Sequence, residues 1–221
     1  MSREVHVRFC ESAGVRFHCA TRLLVMVKSA KAAQRVMESL TRYVEGRLKL
    51  VVNRAKSKSA PLKQCAFLGF QIGSRGLVVW TAKGQARFKQ RVREITRRNR
   101  GHRVQDVIDE LGRYVNGWLH YFGISHTYTG VLELDEWMRR RVRLYYWKQW
   151  KQPRTRRRHL IALGIKPEEV HMATRSRKGY WRMSGNSFIQ CALNNRWLHE
   201  QGVPDMRTLW ITLHYGPKAR V

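Results

Sequence analysis

The stretch that most limits what this chain can fold into is VQDVIDELGRYVNGWLHYF, residues 104–122. Val104, Val107, Ile108, Leu111, Tyr114, Val115, Trp118, Leu119 and Phe122 recur at steps of three and four residues. That spacing places them on one stripe of a helix about five turns long. So long an apolar stripe needs other elements to cover it. Asp106, Asp109 and Glu110 stand in the first turns, where carboxylates suit the positive end of the helix dipole.

The flanking segments supply partners. In ARFKQRVREITRRNRGH, Phe88, Val92 and Ile95 make a narrow stripe, cations take the other faces, and Gly101 is the expected stop. A third helix is predicted from about Leu132 to Trp150, with Glu133, Asp135 and Glu136 near its start. Those acids invite a metal or acid–base reading, but capping and the dipole account for them without it. Three helices with short connections predict an antiparallel bundle or helical subdomain. Beyond Pro153 the pattern predicts a basic helix ending at Leu163-Gly164-Ile165, a loop at Lys166–Glu169, and a turn before a helix from about Ser187.

Upstream, Ala33, Val36, Met37, Leu40, Tyr43, Val44 and Leu48 give a helical stripe beginning after Ser29. LKLVVN reads as a short strand and RAKSKSAPLKQ as a basic loop. In AFLGFQIGSRGLVVW two apolar runs flank Gly73-Ser74-Arg75-Gly76, which predicts a β-hairpin. The expected class is therefore α+β, mostly α: a small helix and hairpin portion followed by a helical domain.

Lys and Arg outnumber Asp and Glu by 44 to 15, a net charge of +29 in 221 residues, while 43% hydrophobic residues provide for a real core. A whole chain this basic calls for a polyphosphate partner, and nucleic acid is the usual one. No apolar run is long enough to span a bilayer, so no membrane partner is expected. Cys10, Cys19, Cys65 and Cys191 form no CxxC pair and read as reduced, mostly buried thiols rather than metal ligands. MSREVHVRFC lacks the apolar region of a signal peptide, and a reducing, cytoplasmic setting is the expectation.

The charge is densest in MRRRVRLYYWKQWKQPRTRRRHL, residues 138–160, which hold eight Arg, two Lys and no acid. Guanidinium pairs bidentately with phosphate and stacks on bases, so the excess of Arg favours a nucleic-acid face over mere solubility. The candidate RNA contacts are Arg139, Arg140, Arg141, Arg143, Lys148, Lys151, Arg154, Arg156, Arg157 and Arg158, with Arg175, Arg177, Lys178 and Arg182 further on. Trp147, Trp150 and Trp181 are candidate stacking surfaces, although rings at helical spacing are more often core. Trp118, Trp137 and Tyr145 are assigned to the core; Trp150 and Trp181 are left open between the two roles. None of the nine histidines has the partners of a nucleophilic or general-base site. His120 is expected to be half-buried, and His159 and His171 are phosphate contacts when protonated. Ser184-Gly185 and the Gly73–Gly76 turn lack the strand-to-helix pattern with Lys that cradles phosphate, and read as plain turns.

Several of these segments, in order, resemble the C-terminal part of bacterial group II intron-encoded reverse transcriptase–maturases. VMVKSAKAAQRVMESLTRYVEGRLKLVVNRAKSK and FLGFQI resemble the end of that family's polymerase palm. YVNGWLHYFGI, RRRVRLYYWKQWKQPRTRRRHLIALGI and KGYWRMSGNSFIQCALNNRWLHEQGV resemble its maturase domain, called X or the thumb. The resemblance implies three parts: an unmatched segment 1–22, a palm remnant 23–80 and a maturase domain 84–221. It implies that Phe67, Leu68, Gly69 and Phe70 form a hairpin on the primer-grip side. It also implies that the helical part binds group II intron RNA, with an RNA–DNA duplex as a further ligand, and helps the intron's ribozyme fold and splice.

The family's polymerase needs paired aspartates to hold two metal ions. Their expected place is about Cys19-Ala20-Thr21-Arg22, and no aspartate precedes Asp106. The expectation is thus a non-enzymatic RNA-binding maturase with no catalytic residue, no metal and no cofactor. Likeness starting near Leu23 points to a truncated or frame-altered gene, and about 20 residues after LHEQGV leave no room for the family's endonuclease domain. Two alternatives stand: an inert remnant of a degraded mobile element, and a reverse transcriptase if a separate chain supplies the missing part.

Overall fold

The computed structural model describes residues 5–10, 22–73, 76–97 and 100–216. Ser74-Arg75 of the predicted turn and Cys19-Ala20-Thr21 lie outside the described residues. The chain is α+β and mostly α, and it divides into two compact units, residues 1–81 and 82–221.

The first unit begins with strands β1 (Val5–Cys10) and β2 (Arg22–Val27), followed by helix α1 (Ala30–Gly46). Ser29 starts the helix where the apolar period begins: its Oγ accepts the Ala32 N–H at 3.2 Å. The stripe then closes on a small core in which Ala33 and Val44 meet Val52, with Val25, Val27, Val36, Met37 and Leu40 around them. A three-stranded antiparallel sheet runs in the order β2-β1-β3, where β3 is Lys58–Pro61 and Val7 faces Val25 on one side and Ser59 on the other. This corrects the sequence reading twice. LKLVVN is not a strand: Leu48, Leu50 and Val51 are exposed, and Lys49 at φ 54° breaks the extended path. The strand lies instead in the polar KSAP, which pairs with β1 through its backbone and so needs no apolar alternation.

A second sheet is a meander of β4 (Ala66–Phe67), β5 (Phe70–Ile72) and β6 (Val78–Trp80). The predicted hairpin is β5–β6, with Ile72 opposite Val78 and the Gly73 N–H donating to Leu77 O at 2.8 Å. A tighter hairpin precedes it. Phe67 pairs with Phe70 across a two-residue turn in which Leu68 (φ 50°) and Gly69 (φ 85°) are both left-handed. Such turns match the strand twist, but ordinarily draw Asn or Gly at both positions.

The second unit is helical among its described residues: α2 (Ala82–Ile95), α3 (Val104–Phe122), α4 (Tyr128–Gln149), α5 (Pro153–Ala162), α6 (Pro167–Arg175), α7 (Tyr180–Met183), α8 (Ser187–Ala192), α9 (Asn195–Glu200) and α10 (Met206–Tyr215). The stripe of α3 buries Val107, Ile108, Leu111, Val115, Trp118 and Leu119, and Phe88 of α2 sits 4.7 Å from the Trp118 ring. Helix α4 is the axis: α2, α7 and α10 pack on it, and twelve of its 22 residues are buried. A helix covered on most sides leaves little face for solvent, which decides the fate of its charges.

Local chemistry sets the ends. Helix α2 ends at Ile95, before Gly101, and the Thr96 hydroxyl donates back to Val92 O at 2.7 Å beside that end. Pro153 and Pro167 begin α5 and α6, where proline's missing N–H costs nothing; Lys166–Glu169 is thus a helix start rather than a loop. Asn186, Asn194 and Asp205 cap α8, α9 and α10, so the helix predicted from Ser187 ends at Ala192 and two more follow.

Candidate nucleic-acid interface

Arg139, Arg140, Arg141 and Arg143 project from α4 at about 100° per residue, so Arg143 neighbours both Arg139 and Arg140 while Arg141 points away. They reach separate partners. Arg139, 6% exposed, donates through Nε to Asp135 Oδ2 at 2.6 Å and meets Asp205 Oδ1 through Nη2 at 3.3 Å. Asp135 also accepts the Met206 N–H at 3.2 Å, tying α4 to the start of α10. Burial pushes the Asp135 carboxyl above the ordinary carboxylate range against the pull of Arg139. Burial acts upward on Asp205 too, but the Thr208 N–H and Arg139 outweigh it and hold that carboxyl low. Asp135 is therefore a buried tie between helices, not a dipole-pairing residue of the first turn.

Arg143, 8% exposed, donates through Nε to Leu193 O at 2.8 Å and through Nη2 to Asn195 Oδ1 at 2.7 Å. Arg141 turns to Thr96 Oγ1, donating at 3.2 and 2.8 Å. Burial lowers the pKa of both arginines, with a neighbouring arginine as the next cause. Arg140 lies 4.1 Å over the Trp181 ring and donates to Trp181 O at 3.1 Å. The Ser184-Gly185 turn serves that stack, since a Cβ at Gly185 would stand 3.0 Å from Arg140 Nη2. Arg139 and Arg143 are thus corrected from RNA contacts to internal groups: an acid pair and a carbonyl with an amide already take up their donors. Arg141 is half-buried and committed to Thr96.

From Lys148 onward the cations turn outward. Lys151, Arg154, Arg157 and Arg158 are exposed, Lys148 is half-buried, and Arg175, Arg177, Lys178 and Arg182 are exposed on and after α6. Arg156 folds back, donating to Trp150 O at 2.7 Å and Trp147 O at 3.3 Å with its guanidinium 4.5 Å over the Trp147 ring. It satisfies the carbonyls at the C-terminal end of α4, where a cation is favoured by the dipole.

The rings divide differently from the sequence reading. Trp147 and Trp150 are 2% and 8% exposed, and Trp150 stacks on His159 at 4.6 Å. Trp181 is 40% exposed, beside Arg140. Trp118 and Tyr145 are buried, while Trp137 is half-buried with the Arg93 guanidinium 5.4 Å from its ring. His120 and His171 are exposed, the former contrary to expectation. Burial first, and the charge of Arg158 second, pull the His159 pKa down, which opposes the cationic form that a phosphate contact needs. Cys65 is buried and Cys191 exposed. Among the described residues no three His, Cys, Asp or Glu side chains are placed to hold a metal. Phe67, Leu68, Gly69 and Phe70 form the tight turn of the first unit, where Gly69 O accepts the Thr81 N–H at 2.9 Å.

One feature escapes the sequence. A groove of about 590 Å³ is lined by Gly101, His102, Arg103, Tyr145, Lys148, Gln149, Lys151 and Tyr180. It joins the segment before α3 to the end of α4 and the start of α7, and none of these lining residues is acidic. The Tyr145 hydroxyl donates to His102 O at 3.1 Å, fixing one wall to α4. Lys148 Nζ and the Arg156 guanidinium lie 5.7 and 5.5 Å from the Tyr180 ring. A cavity of about 720 Å³ on another side of α4 mixes Glu133, Asp135 and Glu136 with Arg139, Arg140 and Arg143. Its mixed signs suit a polyanion poorly; the first groove can hold phosphates and stack a ring.

The second unit is thus a basic helical domain with an acid-free groove beside an outward-facing cationic helix. Residues 85–163, from within α2 to the end of α5, match the model of the group II intron, maturase-specific domain. That match supports a group II intron maturase-like character for this segment of the second unit. No curated protein matches it.

Proposed function

We propose that this protein binds group II intron RNA through the exposed cations of its helical unit and so assists the RNA's folding and splicing. The observation that carries this reading is the outward set Lys151, Arg154, Arg157 and Arg158, at the end of the segment that matches the maturase-specific domain. RNA is recognised through phosphates, shape and unstacked bases, to which a broad basic surface is suited. The splicing chemistry belongs to the RNA; the protein contributes binding energy and position.

On this reading the chain makes no polymer itself, since two-metal nucleotide transfer needs paired carboxylates and no aspartate precedes Asp106. The tight turn at Phe67–Phe70 is then a palm-derived nucleic-acid contact. Splicing of a group II intron at low magnesium tests the proposal: the protein should raise the spliced fraction, and no effect at saturating protein would refute it. Primer extension with an added palm-bearing fragment tests the polymerase alternative, and the expected result is no extension above the fragment alone.

A further inference from the structure

We infer that the groove between His102–Arg103 and Tyr180 is a site for single-stranded RNA, taking an unpaired nucleotide whose base stacks on Tyr180 and whose phosphates meet Arg103, Lys148 and Lys151. The inference rests on the RNA-binding reading above and assigns one part of that surface a narrower ligand.

Three cations and no acid among the lining residues make the groove a place for negative charge. Tyr145 is 5% exposed with its hydroxyl tied to His102 O, whereas Tyr180 is 37% exposed and stands at the start of α7. The groove therefore pairs a fixed wall with an accessible ring. Its 590 Å³ lies within the roughly 300–1,000 Å³ typical of small-ligand sites. A duplex keeps its bases stacked inside and has no use for a ring in a cleft. An unpaired base offers a π-face, and stacking on an aromatic with cations alongside is how single strands are held. Lys148 and Arg156, each within 6 Å of the Tyr180 ring, hold the ring in position by cation–π attraction and bring charge to the strand's path.

The sequence conceals this site. Arg103 is isolated from the arginine run, and Tyr180 lies in a separate segment. Only the packing of α7 on α4 brings that ring to the two lysines.

The test uses the full chain and two probes: an unstructured oligouridine of about ten nucleotides, within the span of single-strand sites, and a blunt RNA duplex. Tyr180→Leu removes the ring and keeps apolar bulk; Tyr180→Phe keeps the ring. Tyr180→Leu should weaken oligouridine binding about tenfold or more, with Tyr180→Phe near wild type and duplex binding unchanged for both. Thermal melts of the variants serve as the folding control. Should Tyr180→Leu melt early, a 4-thiouridine crosslink to the wild-type chain decides in its place. A crosslink on Tyr180 or its groove neighbours supports the inference; one elsewhere overturns it. Equal losses for oligouridine and duplex, or no loss, also overturn it. Wild type that binds intron RNA but not oligouridine overturns this inference alone, whereas wild type that binds neither overturns the proposed function as well.

Discussion

Arg139 and Arg157 belong to one basic run, yet the first is 6% exposed against two carboxylates and the second faces water. Composition made the run legible as cationic, but not the direction of each side chain, since a helix deals consecutive residues to different faces. The two residues should respond differently to substitution. Arg139→Met leaves the buried Asp135 carboxylate without its main partner, and should destabilise the second unit by roughly 3–5 kcal/mol in urea melts. Adding Asp135→Leu to that variant should restore much of the loss. Arg157→Gln should stay within about 0.5 kcal/mol of wild type. His159 makes a pH prediction. Its folded pKa lies below the unfolded value, so on acidification the unfolded chain takes the proton first. The contribution is intact above about pH 6.5 and is lost as pH falls through that value toward the folded pKa. Denaturation near pH 7.5 and pH 5.5 should show wild type losing more stability than His159→Phe over that interval.

At the scale of elements, helices with long apolar periods were readable and backbone-driven features were not. The α3 stripe extends as its spacing requires because burial of that face is what holds the helix. Strand β3 is polar and pairs through its backbone, so it carries no period-two signal, and of the apolar LKLVVN only Val52 is buried, against Ala33 and Val44, while Leu48, Leu50 and Val51 stay exposed. The β4–β5 turn was hidden because Leu68 occupies a left-handed position usually given to Asn or Gly. That conformation costs an L-residue with Cβ about 1–2 kcal/mol, so Leu68→Gly should raise the stability of the hairpin's unit, read as a higher urea midpoint. Gly69→Ala should lower it. The helix ends show the same division: Pro153 and Pro167 start helices wherever the fold needs them, but proline alone does not tell start from loop.

For the whole molecule, the net charge of +29 was the firmest guide to a polyanionic partner, and the family match places a maturase-specific domain in residues 85–163. The groove beside Tyr180 was not readable, because it is assembled from three segments distant in sequence. Each unit has apolar side chains buried within it, and residues 82–221 contain the whole α2–α4 core. Expressed alone, residues 82–221 should give a cooperative melt and keep salt-dependent binding to the intron RNA. The proposed function depends most on contact between the outward cations of α5 and phosphates. The direct measurement is affinity for a group II intron RNA across a salt series, for wild type and for the triple variant Arg154→Gln, Arg157→Gln and Arg158→Gln. Each lost phosphate contact should reduce the log–log slope by about 0.7–0.9, so the variant's line should be shallower by about two units with its melt unchanged. An identical slope for the two proteins, or wild type that ignores the RNA at low salt, would contradict the account.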